Sequence, residues 1–202
     1  MKRLFVAIPA IFMSLGVMAG SYKVDSAHSE VGFEVSHLVV AKAKGNFKKF
    51  SGTFDLDPNS RVISNIDITV DVKSVDTGEP DRDKHLVGED FFHAEKFPTA
   101  RFMVKNRVKL GKKASKKISG ALEIRGVKKN VSFDVDYKGN VKDPWGNEKA
   151  IFEASTTIDR KEFNIKWNKA LDKGGALVGN KVKLVINLQG SPVKKGKKVS
   201  QN

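Results

Sequence analysis

The feature that most constrains this chain is a period-two alternation of apolar and polar residues, repeated in many short runs. In the first run Val31, Phe33 and Val35 share one parity, with polar or small residues between them. Alternation over runs of this length is typical of strands that bury one face. Because no long helical pattern separates the runs, we expect a closed up-and-down barrel or a sandwich rather than a doubly wound α/β fold. Seven further runs alternate in the same way: 50–56, 62–72, 102–110, 118–124, 131–137, 152–158 and 182–188.

Two places interrupt the alternation. The parity changes between Phe47 and Phe50, which predicts a β-bulge at that point. The charged stretch 77–88 predicts one or two helical turns, with Thr77 as the N-cap and Pro80 in the first turn. The aromatic residues that follow suit either a lid over a cavity or a packed crossover connection.

The N-terminus has the three parts of a secretory leader. Lys2 and Arg3 precede an apolar run, 4–17, and small residues at Val17 and Ala19 form a cleavage pattern. The apolar run is shorter than the roughly 20 residues that span a bilayer. We therefore predict a signal peptide over 1–19, export to the periplasm or beyond the cell, and no nucleic-acid partner.

Several kinds of chemistry lack support in the sequence. The chain has no Cys, which excludes disulfides, thiolate metal sites and a thiol nucleophile. No P-loop, G-x-S-x-G elbow or H-E-x-x-H motif occurs, and the four histidines lack metal-ligand spacing. We expect no catalytic residue, metal or cofactor. We interpret His28 and His37 as structural, and His85 and His93 as surface residues.

The formal charge of +14 comes from local segments. Two cations belong to the predicted leader, the segment 105–117 holds seven with no acid, and 191–202 holds four with no acid. The remainder of the chain is therefore nearly neutral. The two basic segments suit either a solvated surface or a docking patch for an anionic membrane or envelope polymer. We expect the tail, 191–202, to be disordered.

Many short strings occur in an order that resembles the YceI-like family of periplasmic and secreted proteins. The resemblance covers about residues 22–188. It rests on these strings among others: Tyr22-Lys-Val-Asp25, Gly45-Asn-Phe47, Phe50-Ser-Gly52, Ser74-Val-Asp-Thr-Gly78, Arg82-Asp-Lys-His-Leu86, Asp90-Phe-Phe92, Asp143-Pro-Trp-Gly146, Ile158-Asp-Arg-Lys-Glu-Phe163 and Gly175-Ala-Leu-Val-Gly179.

The resemblance implies an all-β, lipocalin-like eight-stranded antiparallel β-barrel, over residues 20–190, with a short helical segment over the barrel. It also implies an apolar pore that holds a long amphiphile, either a polyisoprenoid, an isoprenoid quinone precursor or a fatty-chain amide. It implies no enzymatic activity. We expect Trp145 and Trp167 to anchor loops at one end of the barrel.

Parity and bulk predict which side chains line the pore. Ile66 and Ile68 would face outward if the register slipped by one residue. His37 shares the parity of the lining and would meet a polar headgroup there, unless it is structural. The predicted lining is Phe33, Val35, His37, Phe47, Phe54, Ile66, Ile68, Phe102, Val104, Phe133, Val135 and Phe152.

The sequence leaves three functions open. The first is a carrier that holds the amphiphile for transport, storage or sequestration. The second is an interaction protein that uses the basic segments on anionic envelope surfaces. The third is an enzyme that acts on an isoprenoid lipid, with His37 or a nearby carboxylate as acid or base. A homodimer is also left open.

Overall fold

The computed structural model describes residues 20–38, 41–112, 114–170 and 177–193. The predicted leader, 1–19, and the part of the predicted tail from residue 194 lie outside the described residues. Within them, the strands are β1 (Gly20–Val24), β2 (Glu30–His37), β3 (Ala41–Phe47), β4 (Phe50–Asp57), β5 (Val62–Asp71), β6 (Val75–Asp76), β7 (Thr99–Val104), β8 (Val108–Lys109), β9 (Lys116–Ile124), β10 (Val127–Lys142), β11 (Glu148–Asp159) and β12 (Val178–Pro192). The helical elements are α1 (Pro80–Val87) and the 3₁₀ turns Ser26–His28, Val72–Ser74 and Arg160–Phe163.

Eight strands close into an antiparallel barrel in the order β1-β4-β5-β7-β9-β10-β11-β12, because β12 pairs back with β1. The strand β12 is long enough to pair with β1 through residues 190–192 and with β2 through residues 178–187. The hairpin β2–β3 therefore continues the wall beyond the end of β1. This arrangement confirms the predicted eight-stranded antiparallel barrel with one short helix.

The predicted bulge between Phe47 and Phe50 is wrong. Residues 41–47 and 50–57 are two separate strands, β3 and β4, which have different partners in the sheet. The strand β1, which closes the barrel, has only Tyr22 and Val24 as buried apolar residues. Two alternating positions are too few to stand out in the sequence, so the alternation did not predict this strand.

A bulge does occur in β5. One extra residue lies opposite Phe54, and Asn65 adopts a left-handed φ of 50°, a conformation that Asn tolerates better than most residues. The insertion changes the parity of the strand, so that Ile63 shares the inner face with Ile66. The alternation over 62–72 predicts Val62 on the same face as Ile66, and the bulge makes that prediction wrong.

The helix α1 begins two residues later than predicted. Its N-cap is Glu79, whose carboxylate accepts hydrogen bonds from the backbone N–H groups of Asp81 and Arg82. The Thr77 hydroxyl instead donates to the Asp83 carboxylate and accepts from Arg82 Nε at 2.7 Å. These bonds fix the preceding loop against the first turn. In the part of the chain that the structure describes, none of the helices is long and apolar enough to cross a membrane.

The last strand also extends further than predicted. The strand β12 includes Ser191 and Pro192, which the sequence assigned to the tail, and the Val193 N–H donates to the Ser21 carbonyl at 2.8 Å. The end of β12 is thus fixed beside β1. Gly190 is needed at this closure, because a Cβ there would lie 2.4 Å from Cζ of Phe54.

An ion pair links the strands where the barrel closes. Asp25 Oδ2 accepts from Lys149 Nζ at 2.6 Å, and Lys149 also donates to Ser191 Oγ at 2.9 Å. The two charged side chains are only 16% and 17% exposed. The hydrogen bond from Lys149 is the main reason why the pKa of Asp25 lies below its ordinary range; a hydrogen bond from His28 lowers it further, and burial opposes both.

We expect this pair to make stability depend on pH in the acid range. Because the folded-state pKa of Asp25 is lowered, its contribution is complete above the unfolded value of about 4 and is lost as pH falls through the folded value. Asp25→Asn should cost about 2 kcal/mol of unfolding free energy at pH 7, and its difference from the unmodified chain should shrink towards pH 3. Urea unfolding at several pH values measures this, with Glu95→Gln as the exposed control.

Candidate functional site

The barrel encloses a cavity of about 550 Å³. Its wall along β12 runs from Val178 to Leu188, ten residues apart, which corresponds to roughly 30 Å at a rise of ~3.3 Å per residue. A volume of this size spread over that length forms a narrow tube rather than a round chamber. We call this cavity the tunnel.

The tunnel is hollow, a property that alternation alone did not decide. The side chains of Phe33, Val35, Leu184 and Ile186 point into it, yet each is only half-buried. In a close-packed interior such residues would be buried by their neighbours. They remain accessible because they face open volume.

One end of the tunnel is closed by a packed cluster, which we call the floor. Its largest members surround Phe54. The Phe54 ring stacks on Tyr22, with 5.3 Å between the centroids, and packs edge-to-face with Phe152, with 5.4 Å between the centroids. Leu56 and Ile118 in the same cluster are almost completely buried. The floor consists of Tyr22, Val24, Phe54, Leu56, Ile63, Val104, Leu110, Ile118, Tyr137, Ala150 and Phe152.

A polar network backs the floor. The Tyr22 hydroxyl donates to Glu148 Oε1 at 3.1 Å and accepts from Asn140 Nδ2 at 3.1 Å, while the Tyr137 hydroxyl donates to Asn140 Oδ1. The Arg61 guanidinium lies 4.6 Å above the centre of the Tyr137 ring. Burial raises the pKa of Tyr137 to about 12. This hydroxyl therefore stays protonated at neutral pH and keeps its donor role in closing the tunnel.

The other end, which we call the mouth, is covered by α1 and the loop before it. Thr77, Asp81, Arg82 and His85 from this region line the tunnel. His85 Nε2 lies 2.9 Å from Asp90 Oδ2, and the His85 ring meets the edges of Phe91 and Trp167, each at 4.9 Å between centroids. His85 is exposed, as the sequence predicts, and it also borders the mouth.

Arg160 is the buried cation of the site. It is 4% exposed, and its guanidinium donates to the backbone carbonyls of Gly179 (2.8 Å), Ile165 (2.9 Å) and Trp167 (2.7 Å). Burial lowers the pKa of Arg160 from its ordinary value, but guanidinium remains charged in proteins. Among the described residues no carboxylate lies within 4 Å of it. Arg160 thus holds the segment that carries Trp167 against the start of β12.

The structure places all but one of the predicted lining residues on the tunnel wall. Val104 is the exception: it is buried in the floor and, unlike Phe54 and Phe152 of the same cluster, it does not border the tunnel. Both Ile66 and Ile68 face the tunnel, so the register does not slip there. Whether these residues contact a ligand stays a prediction. The wall includes Phe33, Val35, His37, Phe47, Phe54, Ile66, Ile68, Phe102, Phe133, Val135 and Phe152.

Sequence reasoning missed part of the wall. The inner face of β12 carries Val182, Leu184, Ile186 and Leu188, which the alternation had already marked as one face of a strand. Arg160 and Trp167 carry no periodic signal, because they lie in a 3₁₀ turn and an irregular segment. They come to lie beside the tunnel only because the barrel closes.

The two Trp residues, both predicted to anchor loops, have different outcomes in the structure. Trp167 packs against Phe91, with 5.2 Å between the ring centroids, as expected of a residue that anchors a loop. Trp145 does not, since it is 84% exposed, and its predicted anchoring role is wrong. His28 Nδ1 lies 3.1 Å from Asp25 Oδ2. Within the described residues, no three His, Asp or Glu side chains are placed to hold a metal ion.

Comparison with known proteins agrees with this architecture. A family model described as a YceI-like domain matches residues 22–190. Protein YceI from Salmonella newport is 35% identical over 188 residues, covering 92% of this chain and 94% of that protein. The crystal structure of a Campylobacter jejuni YceI protein superposes with a TM-score of 0.67 at 32% identity, covering 84% of this chain and 96% of that one.

A more distant structure shares the fold alone. It is a polyisoprenoid binding domain from Saccharophagus degradans, implicated in plant cell wall breakdown, with a TM-score of 0.64 at 14% identity. It covers 85% of this chain and 98% of that chain.

Proposed function

This chain belongs to the YceI-like family, and from that premise we propose that it binds one long-chain amphiphile in its tunnel, for transport, storage or sequestration. The observation that carries the proposal is the tunnel itself, an apolar tube that β12 lines over roughly 30 Å of tilted strand. It has a volume of about 550 Å³ and is closed at one end by the floor. A tube of this shape fits an extended chain rather than a compact molecule.

For an apolar wall, the affinity depends more on the length of the bound chain than on specific polar contacts. Each CH₂-sized group moved from water into an apolar site contributes ~0.8 kcal/mol. A wall with few polar groups therefore gains affinity with each added carbon, until the chain reaches the floor. It discriminates weakly between chains of similar thickness, which suits isoprenoid and fatty chains alike.

We further propose a polyisoprenoid or isoprenoid quinone precursor as the ligand, with a fatty-chain amide as the alternative. Support comes from the Saccharophagus degradans domain, a polyisoprenoid binding domain with the same fold. The polar end of the ligand would lie at the mouth, where Thr77, Asp81, Arg82 and His85 line the tunnel and His37 lies on the wall. The His37 contact with a headgroup remains a prediction.

The setting and assembly of the protein are part of the proposal. The predicted leader favours the periplasm or secretion, where a sheltered tunnel would carry an insoluble chain through water. The role is binding rather than catalysis, since no motif in the chain supports the turnover of a lipid. A homodimer stays a prediction.

The test is to identify what the protein retains. We expect native mass spectrometry of the purified full chain to show one copy of a long-chain amphiphile, and organic extraction to release it unchanged. Delipidated protein should take up added polyprenol or fatty amide with an affinity that rises with chain length. Protein that is consistently empty and fails to take up either class would overturn the proposal. Conversion of the lipid, lost in His37→Ala, would favour the enzyme instead.

A further inference from the structure

The exposed apolar residues of this barrel collect at one end. Four large hydrophobic residues of the described chain are strongly exposed, and three of them, Val141 (52%), Trp145 (84%) and Val193 (51%), lie at the end that carries the floor. Trp145 lies in the turn between β10 and β11. Its backbone N–H donates to the Asp143 carboxylate, and its indole ring is exposed to solvent. We call this end of the molecule the closed end.

The described residues of the basic segment, 105–112 and 114–117, lie at the same end. Arg61 donates to the Gly111 carbonyl through Nε at 3.1 Å and to the Tyr137 carbonyl at 3.1 Å, which ties this segment to β10. Within the described part of the chain, none of its exposed cations Lys105, Arg107, Lys109, Lys112 and Lys116 has a carboxylate within 4 Å, whereas Lys117 pairs with Asp134. Five unpaired cations therefore face solvent here.

The carboxylates of the closed end accept hydrogen bonds from neighbouring residues. Asp57 accepts from the backbone and side chain of Ser60, and Asp143 accepts from Asn147, so hydrogen bonds lower the pKa of both carboxyls. Glu148 is engaged by Tyr22. These carboxylates cap their own turns, and none forms an ion pair with the five cations within the described residues, although the charge of Arg107 also lowers the pKa of Asp57. Val193 follows the last residue of β12 at this end of the molecule. In the sequence, four further Lys residues and no acidic residue come after Val193.

We propose that the closed end docks on the surface of an anionic phospholipid bilayer. An exposed Trp with neighbouring aliphatic residues inserts favourably at the level of lipid headgroups. Each nearby Lys or Arg adds attraction to an anionic leaflet. A solvated solubilising surface would need the charge but would gain nothing from the exposed indole. Docking in this way leaves the mouth directed away from the bilayer, so this inference does not depend on what the tunnel holds.

Vesicle binding of the full chain tests the proposal. Vesicles of phosphatidylcholine with phosphatidylglycerol should bind it at low salt, and vesicles of phosphatidylcholine alone should not. The variant Lys105→Gln/Lys109→Gln/Lys112→Gln should bind on the order of 100-fold more weakly. The matched control Lys84→Gln/Lys129→Gln/Lys166→Gln removes the same charge from exposed positions towards the mouth, and it should bind as the unmodified chain does.

Trp145 supplies a second readout. Its fluorescence should shift to the blue on vesicle binding, and Trp145→Ser should lose this shift together with several-fold of the affinity. Equal binding by the two triple variants would overturn the proposal. So would cation-dependent binding that Trp145→Ser leaves unchanged and that a soluble anionic polysaccharide reproduces, since that result indicates a polymer partner. Vesicle binding by a variant with a blocked tunnel separates this proposal from lipid storage.

Discussion

Replacing Ala154 by phenylalanine is expected to end the retention of long-chain lipid while leaving the barrel folded. Ala154 lines the middle of the tunnel, level with Val135 on one neighbouring strand and Ile186 on the other. A ring at this level would divide the tube and exclude a chain from the part nearest the floor. Loss of only four buried CH₂ groups at ~0.8 kcal/mol each corresponds to roughly 200-fold weaker binding.

The measurement is a competition series with amphiphiles of increasing chain length. For the unmodified protein, affinity should rise with length and level off where the chain reaches the floor. For Ala154→Phe it should level off at a shorter length, and short chains should bind equally well to both. Thr157→Phe is the matched control, because it adds the same ring to the same strand at an exposed position on the outer face. Unaltered binding of the longest chains by Ala154→Phe would contradict a ligand in the tunnel.

Arg160→Met is expected to lower the free energy of unfolding by about 3 kcal/mol. Methionine preserves much of the volume but leaves the carbonyls of Gly179, Ile165 and Trp167 without their buried donor. An unsatisfied buried polar group costs about 1–3 kcal/mol, and water reaching part of this region limits the sum. The segment that carries Trp167 should also loosen. Arg160 donates to four carbonyls in all, including Val178, and two of these four, Ile165 and Trp167, belong to that segment.

Chemical denaturation and near-ultraviolet circular dichroism together check this prediction. The control is Arg125→Met, since Arg125 also donates to two backbone carbonyls, Asn164 and Glu89, but is only half-buried and makes these hydrogen bonds in exposed surroundings. Arg160→Lys keeps the charge without the planar fork and should recover only part of the stability. Equal losses in Arg160→Met and Arg125→Met would show that burial of the guanidinium is not what holds the mouth together.

The alternation was enough to predict most of the wall. In a strand the side chains of residues i and i+2 share a face, so bulky apolar residues of one parity point inward whatever the exact register. Phe33, Phe102 and Phe133 share the inward parity of their strands, and each borders the tunnel. Parity gives the direction of a side chain but not its height along the barrel, which is why Val104 was misplaced from the floor to the lining.

The sequence determined the fold class, because period-two patterns and short turns leave few ways to bury eight apolar faces. The tertiary structure decided what no local pattern carries: the closure through the short strand β1, the hollow interior, and the buried Arg160 at the mouth. These features depend on contacts between residues far apart in the chain. Whether an inward side chain meets a neighbour or open volume is set by the curvature of the closed sheet, and that curvature exists only once the strands have paired.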